Sequence, residues 1–128
     1  MIEKKAVYSC AVCGNIVESL FNGKGTIQCC GEKMSKLAAN TVDAAQEKHV
    51  PAVTREGDLV KVQVGETLHP MAPDHYILFV EVIAGNRIQL QDFVEGDTTP
   101  AAEFTVAAGT PISVRAYCNK HGLWQAEA

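Results

Sequence analysis

Five cysteines and four histidines carry most of the chemistry that this chain's residue types allow. Cys10 and Cys13 stand two residues apart, and Cys29-Cys30 follow after fifteen more. Two knuckles therefore offer four thiolates, the donor set that tetrahedral zinc or a single iron takes. A zinc knuckle would serve folding as well as a redox iron would. The adjacent pair weighs against zinc, because neighbouring side chains diverge in most backbone conformations and binding one ion through both distorts the tetrahedron.

The fifth cysteine, Cys118, lies in the rest of the chain with all four histidines, His49, His69, His75 and His121. Singly, each histidine reads as a hydrogen-bonded or surface residue, and Cys118 as a buried thiol acting as a small hydrophobe. Together they make a ligand set. Cys118-Asn119-Lys120-His121-Gly122 places a thiolate and an imidazole on one Gly-marked bend, and Pro70 and Pro73 stiffen the loop between His69 and His75 so that its ends converge. Five ligands leave an octahedral ion one open position, which catalysis needs. They also exceed the four that zinc normally takes, and a nearby thiolate centre suggests electron supply, so iron is the metal expected.

The elements that must position these residues change character along the chain. Residues 1–37 hold short strand-like pieces, Ala6 to Ser9, Ile16 to Phe21 and Thr26 to Gln28, between Gly14, Gly23, Gly25 and Gly31. Such a stretch needs a staple rather than a core. Residues 38–48 are polar and Ala-rich and read as a linker, with room for a helical turn capped by Thr41 or Asp43. From residue 49 to 128 the period becomes two. Strands are expected at Asp58 to Val64, His75 to Val82, Arg87 to Phe93, Glu103 to Ala107 and Ile112 to Cys118, with Tyr76, Leu78, Val80 and Val82 sharing one face. Turn signals fall at Glu56-Gly57, Gly85-Asn86, Glu95-Gly96-Asp97 and Ala108-Gly109. The fold class is all-β: a small four-cysteine module, then an immunoglobulin-like antiparallel sandwich of about seven strands. The Cys-Trp-Cys core of antibody domains is absent, so the likeness is one of architecture only.

A net charge of −4 with no Lys/Arg cluster argues against a nucleic-acid partner. The N-terminus lacks the apolar run of a signal peptide, and no stretch approaches the roughly 20 apolar residues of a membrane span. A cytoplasmic location is expected, where thiols stay reduced or bind metal and an odd cysteine count is unremarkable.

The C-x2-C then C-C layout with Gly31 resembles desulforedoxin over about the first 37 residues, which implies a redox-active iron on Cys10, Cys13, Cys29 and Cys30. Three further segments resemble the two-iron superoxide reductase family in its longer form, desulfoferrodoxin: Glu47-Lys48-His49-Val50-Pro51, His69-Pro70-Met71 with His75-Tyr76, and Cys118-Asn119-Lys120-His121-Gly122-Leu123-Trp124. The resemblance implies two iron ions per chain. At the second, His49, His69, His75 and His121 would be equatorial, Cys118 axial, and superoxide would meet the open sixth position. It further implies one-electron reduction of superoxide with two protons to hydrogen peroxide, a rubredoxin-like electron donor and a homodimer. Lys48, otherwise a solvated surface lysine, would draw in the anion, and Glu47 would take the open position of the oxidised iron after peroxide leaves. Backbone N–H groups of Asn119 and Lys120 would tune the Cys118 sulfur. Trp124, Tyr76 and Tyr117 read as packing.

One departure concerns position 116, which is Ala where the family usually has Glu ahead of the Tyr-Cys pair, so that the tuning of the thiolate is expected to differ. The loop Met71-Ala72-Pro73-Asp74 lacks the usual Glu/Lys run but keeps the spacing of His69 and His75. Three rival functions are distinguishable. An iron-sulfur electron carrier would need only the four cysteines and leaves the second cluster unexplained. A superoxide dismutase would run without external reductant. A gas or redox sensor would need an output segment, and none is recognisable.

Overall fold

The computed structural model describes residues 1–42, 49–65, 69–94, 97 and 99–128. The chain divides into two compact units, Met1–Ala38 and Ala39–Ala128.

In the first unit, β1 (Val7–Ser9) lies between β2 (Ile16–Glu18) and β5 (Ser35–Lys36), and β3 (Gln28–Cys29) pairs with β4 (Glu32–Lys33). Val7 is buried, and Tyr8, Cys10 and Met34 form a buried cluster with Ile2, Ala6, Ile27 and Cys29 packed against it. The β3–β4 hairpin turns on Cys30 and Gly31, at φ 53° and 75°. Two successive left-handed residues make the tight primed turn that suits the twist of a hairpin. A non-glycine residue there costs about 1–2 kcal/mol.

The second unit is an antiparallel sandwich of seven strands among the described residues. One sheet has the order β10 (Ala101–Thr105), β7 (Leu59–Val64), β6 (Pro51–Glu56); the other has β12 (Gly122–Glu127), β11 (Ser113–Cys118), β8 (Ile77–Ala84), β9 (Arg87–Asp92). Val60, Val62, Val64 and Phe104 from the first sheet meet Ile77, Val80, Val82, Val114, Ala116 and Cys118 from the second in one buried cluster. Period-two valines explain why these segments are strands: each sheet has one face to bury. The expected turns at Gly57 and Gly85 close two-residue hairpins with positive φ at the glycine. Of the expected Glu95-Gly96-Asp97 turn, Glu95 and Gly96 lie outside the described residues.

Two expectations need correction. Tyr76, Leu78, Val80 and Val82 do not share a face throughout. The register of β8 against β11 shifts between Tyr117 and Cys118, so Cys118 faces Ile77 rather than Leu78. The extra residue is a β-bulge, which flips the alternation and turns Ile77 inward beside Val80. Strands β6 and β12 also exist where no strand was expected. Within the predicted linker, Asn40 is already part of the second unit: its N–H donates to the Leu123 carbonyl at 2.9 Å and its carbonyl accepts from Gln125 N–H at 2.9 Å. Asp43 and the possible helical turn lie outside the described residues.

Three ligand-bearing segments emerge at one end of the sandwich. His49 precedes β6, whose first residue pairs with the last of β7 (Pro51 with Val64). His69 and His75 lie between β7 and β8, and Cys118 and His121 sit where β11 turns into β12 (Cys118 with Gly122). On the outer face of the four-stranded sheet, Glu81 and Arg115 are cross-strand neighbours and form a buried ion pair, with Arg115 Nε 2.5 Å from Glu81 Oε1.

Candidate metal centres

The first knuckle is shaped by its own backbone. Cys10 N–H donates to the Asn15 carbonyl at 2.9 Å and Gly14 N–H to the Cys10 carbonyl at 3.0 Å, wrapping residues 10 to 14 into a loop. The left-handed conformation of Cys30 answers the difficulty of adjacent ligands: it swings the second thiol back, and the Cys29 and Cys30 sulfurs lie 3.9 Å apart. Cys13 and Cys29 sulfurs are 3.5 Å apart, and all four sulfurs lie within 4.8 Å of one another. Four sulfurs each about 2.3 Å from one ion would be spaced by about 3.8 Å, so the cluster has the dimensions of a tetrahedral site. Backbone N–H groups of Cys13 and Val12 draw the Cys10 thiol down to about 7. The crowding of Cys13, Cys29 and Cys10 pushes Cys30 up to about 12. A cation held by the four sulfurs would offset the crowding that keeps Cys30 protonated.

The second cluster brings together His49, His69, His75, Cys118 and His121, whose donor atoms also lie within 4.8 Å of one another. Around one octahedral ion with bonds of about 2.1 Å, neighbouring donors lie about 3 Å apart and opposite donors about 4.2 Å. Here His121 Nδ1 and His49 Nε2 are 3.1 Å apart, and Cys118 Sγ lies 3.5 Å from His69 Nε2 and 3.8 Å from His121 Nδ1. His69 Nδ1 is 2.8 Å from the Pro70 carbonyl oxygen. A carbonyl only accepts, so Nδ1 carries the proton and Nε2 turns its lone pair toward the cluster. The donors fit a single ion of iron's coordination habit.

Burial is graded. Cys118 is 0% exposed, His49 2% and His69 4%, His75 is half-buried and His121 exposed. The thiolate forms the floor and His121 the rim, where a small anion has access.

The loops are tied to each other. Ala72 and His75 exchange both backbone hydrogen bonds at 3.0 Å, making a tight turn over Pro73 and Asp74. Asn119 then clamps both flanks of His75: its Oδ1 accepts from Tyr76 N–H at 2.9 Å and its Nδ2 donates to the Asp74 carbonyl at 3.0 Å. Its backbone N–H donates to the Tyr76 carbonyl at 3.2 Å, and so serves the loop rather than the Cys118 sulfur as expected. This side-chain clamp is the part of the site that sequence reasoning missed. Its signal was an Asn directly after a strand in a Gly-ended turn, a position where Asn bonds neighbouring backbone. Tyr117 is stacked on Phe79 across the sheet, and burial together with the neighbouring Cys118 pushes its phenol up, so it keeps its proton. Ala116 is buried on the same face as Cys118, two residues away. Glu47 and Lys48 lie outside the described residues.

The desulfoferrodoxin family model matches residues 41–127, and the desulfoferrodoxin N-terminal domain model matches residues 2–37. A desulfoferrodoxin of Syntrophotalea carbinolica is 48% identical over 127 residues, covering 99% of each chain. A superoxide reductase of Pyrococcus horikoshii is 35% identical, over 73% of this chain and 96% of its own. In three dimensions, the superoxide reductase of Treponema pallidum superposes with a TM-score of 0.77 at 28% identity, covering 94% of this chain and 96% of that one.

Proposed function

The chain belongs to the desulfoferrodoxin family, and on that footing we propose that it works as a superoxide reductase carrying two iron ions. It adds one electron and two protons to superoxide, releases hydrogen peroxide and evolves no oxygen. The observation that carries this reading is the convergence of four imidazoles and one buried thiolate at an end of the sandwich with one exposed rim. When bound, iron supplies the electron to superoxide.

The assignment of residues follows. His49, His69, His75, His121 and Cys118 hold the catalytic iron, and Cys10, Cys13, Cys29 and Cys30 hold the other. Four neutral imidazoles and one thiolate leave a ferrous site with net positive charge, and Lys48, next to His49, adds to the local field that draws the anion. Glu47 would offer the oxidised iron a carboxylate ligand. Cys118 sets how much electron density reaches the centre, and its burial keeps the sulfur dry. Of the division into 1–37, a linker 38–48 and 49–128, the boundary near residue 38 has the support of the two family matches, 2–37 and 41–127, the second of which begins inside the linker.

The electron donor is a rubredoxin-like carrier. Five lysines against three glutamates give residues 1–38 a side-chain charge of +2, and four thiolates on a ferric ion still leave the unit net positive while the chain before metal is at −4, which suits an acidic carrier meeting the oxidised first unit. A homodimer is supported by the thin core of that unit and its exposed Val12, Val17, Leu20 and Phe21. A cytoplasmic location is supported by thiols that need a reducing compartment. Among the described residues no helix is long and apolar enough to cross a membrane.

The test is anaerobic stopped-flow of the reduced, iron-loaded protein against a superoxide pulse, with peroxide and oxygen counted. One peroxide per superoxide and no oxygen, with His49→Ala and Cys118→Ser inactive, is the expected result. Oxygen at half the superoxide consumed would make it a dismutase, and no reaction would leave an electron carrier. Lys48→Ile should slow the encounter roughly tenfold and flatten its dependence on salt.

A further inference from the structure

Trp124 is the chain's only tryptophan, and composition alone gives it no role beyond packing. Its surroundings are more specific than a core filler requires. The indole lies flat against His49, with ring centroids 4.7 Å apart and planes 15° from parallel. Its Nε1–H donates to the His121 carbonyl oxygen at 3.1 Å. One buried side chain thus bears on two of the four histidines, which come from segments 72 residues apart in sequence.

Those two histidines are also close donors in the cluster, with His121 Nδ1 3.1 Å from His49 Nε2. His49 lies just ahead of β6, with Trp124 stacked on its ring. His121 sits at the exposed rim, in a turn whose next residue, Gly122, has φ 84°. Trp124 bears on a different part of each: the indole face lies on the His49 ring, and the indole N–H holds the His121 backbone.

Trp124 is itself held on both flanks. Asn40 donates its N–H to the Leu123 carbonyl and accepts from Gln125 N–H, each at 2.9 Å, bracketing the tryptophan in a short parallel pairing. Its cross-strand partner Ala116 is buried and small.

We propose that Trp124 is a positioning residue of the second metal centre, which fixes the ring of His49 by stacking and the backbone of His121 by a hydrogen bond, and so sets the spacing of these two ligands. The inference rests on the assignment of the five-residue cluster as a metal site.

Two variants separate the functions of the indole. Trp124→Phe keeps a flat ring against His49 and removes the N–H donor; Trp124→Leu removes both. Ferrous affinity of the second site, by competition with a chelator, and the ferric electron paramagnetic resonance signature are measured on the full chain, with amide hydrogen exchange of β7, β8 and β11 as the check that the sandwich carrying Trp124 is folded. Loss of groups that orient metal ligands typically weakens binding by about 10–100-fold. Trp124→Leu should fall in that range and change the anisotropy of the ferric signal, with Trp124→Phe between it and the parent. Both variants binding ferrous ion as the parent does, with the same ferric signature and only a lower melting temperature, would reduce Trp124 to core filling. A parent protein that takes up no ferrous ion at this cluster while filling the four-cysteine centre would overturn the site assignment and this inference with it.

Discussion

At the scale of single residues, the chemistry lies in how donors are crowded. In the four-cysteine cluster Cys10 is drawn down to about 7 while Cys30 is pushed up to about 12, so at neutral pH an ion must displace protons to bind. Binding is therefore predicted to weaken as pH falls, steepening below about 7 where Cys10 also regains its proton, by roughly tenfold per pH unit for each proton released. Metal competition titrations between pH 6 and 8 would show this; a flat profile would mean the thiols are already ionised in the free protein. The buried pair of Glu81 and Arg115 makes a different statement. Glu81→Ala strands a guanidinium and should cost about 3–5 kcal/mol in chemical denaturation, whereas replacing both residues by apolar ones of similar volume should cost little. The ligands themselves were legible in the sequence because residue type alone carries their chemistry: nine Cys and His residues, and all nine fall into the two clusters. The clamp of Asn119 was not legible, because its partners are backbone atoms of residues 74 and 76 that only folding brings near.

At the scale of elements, turns decide whether ligands meet. Gly122 at φ 84° ends the bend that carries Cys118 and His121, and a Cβ there would meet no atom within 4 Å. Gly122→Ala should thus cost only the conformational penalty, about 1–2 kcal/mol, seen as a lower melting temperature without a clash. Asn119→Ala removes both side-chain bonds that flank His75. It should weaken ferrous binding at the second site by about 10–100-fold, read by chelator competition, while metal in the four-cysteine unit is unaffected. Strand prediction succeeded where one face is buried and the valines alternate, as in β7. It failed for β12, where Leu123 and Trp124 are both buried in succession, and for the start of β8, where the bulge at Leu78 breaks the period. Pattern reading assumes one wet face and an unbroken register, and those segments violate one or the other.

At the scale of the whole molecule, the two units have unequal means of holding together. The first buries only Val7, Tyr8, Cys10 and Met34 and is expected to depend on its ion, whereas the second has a continuous core across both sheets. Exhaustive chelation should melt the first unit and leave a cooperative transition for the second, and amide hydrogen exchange would resolve the two. A single unchanged transition would show that the first unit folds without metal. The sandwich offers all five of its donors from segments at one end, none from the middle of a strand. That placement separates what the lineage must keep from what it can lose. Substitutions within the strands that preserve inward volume should leave the chemistry alone, which is compatible with a shape match at 28% identity.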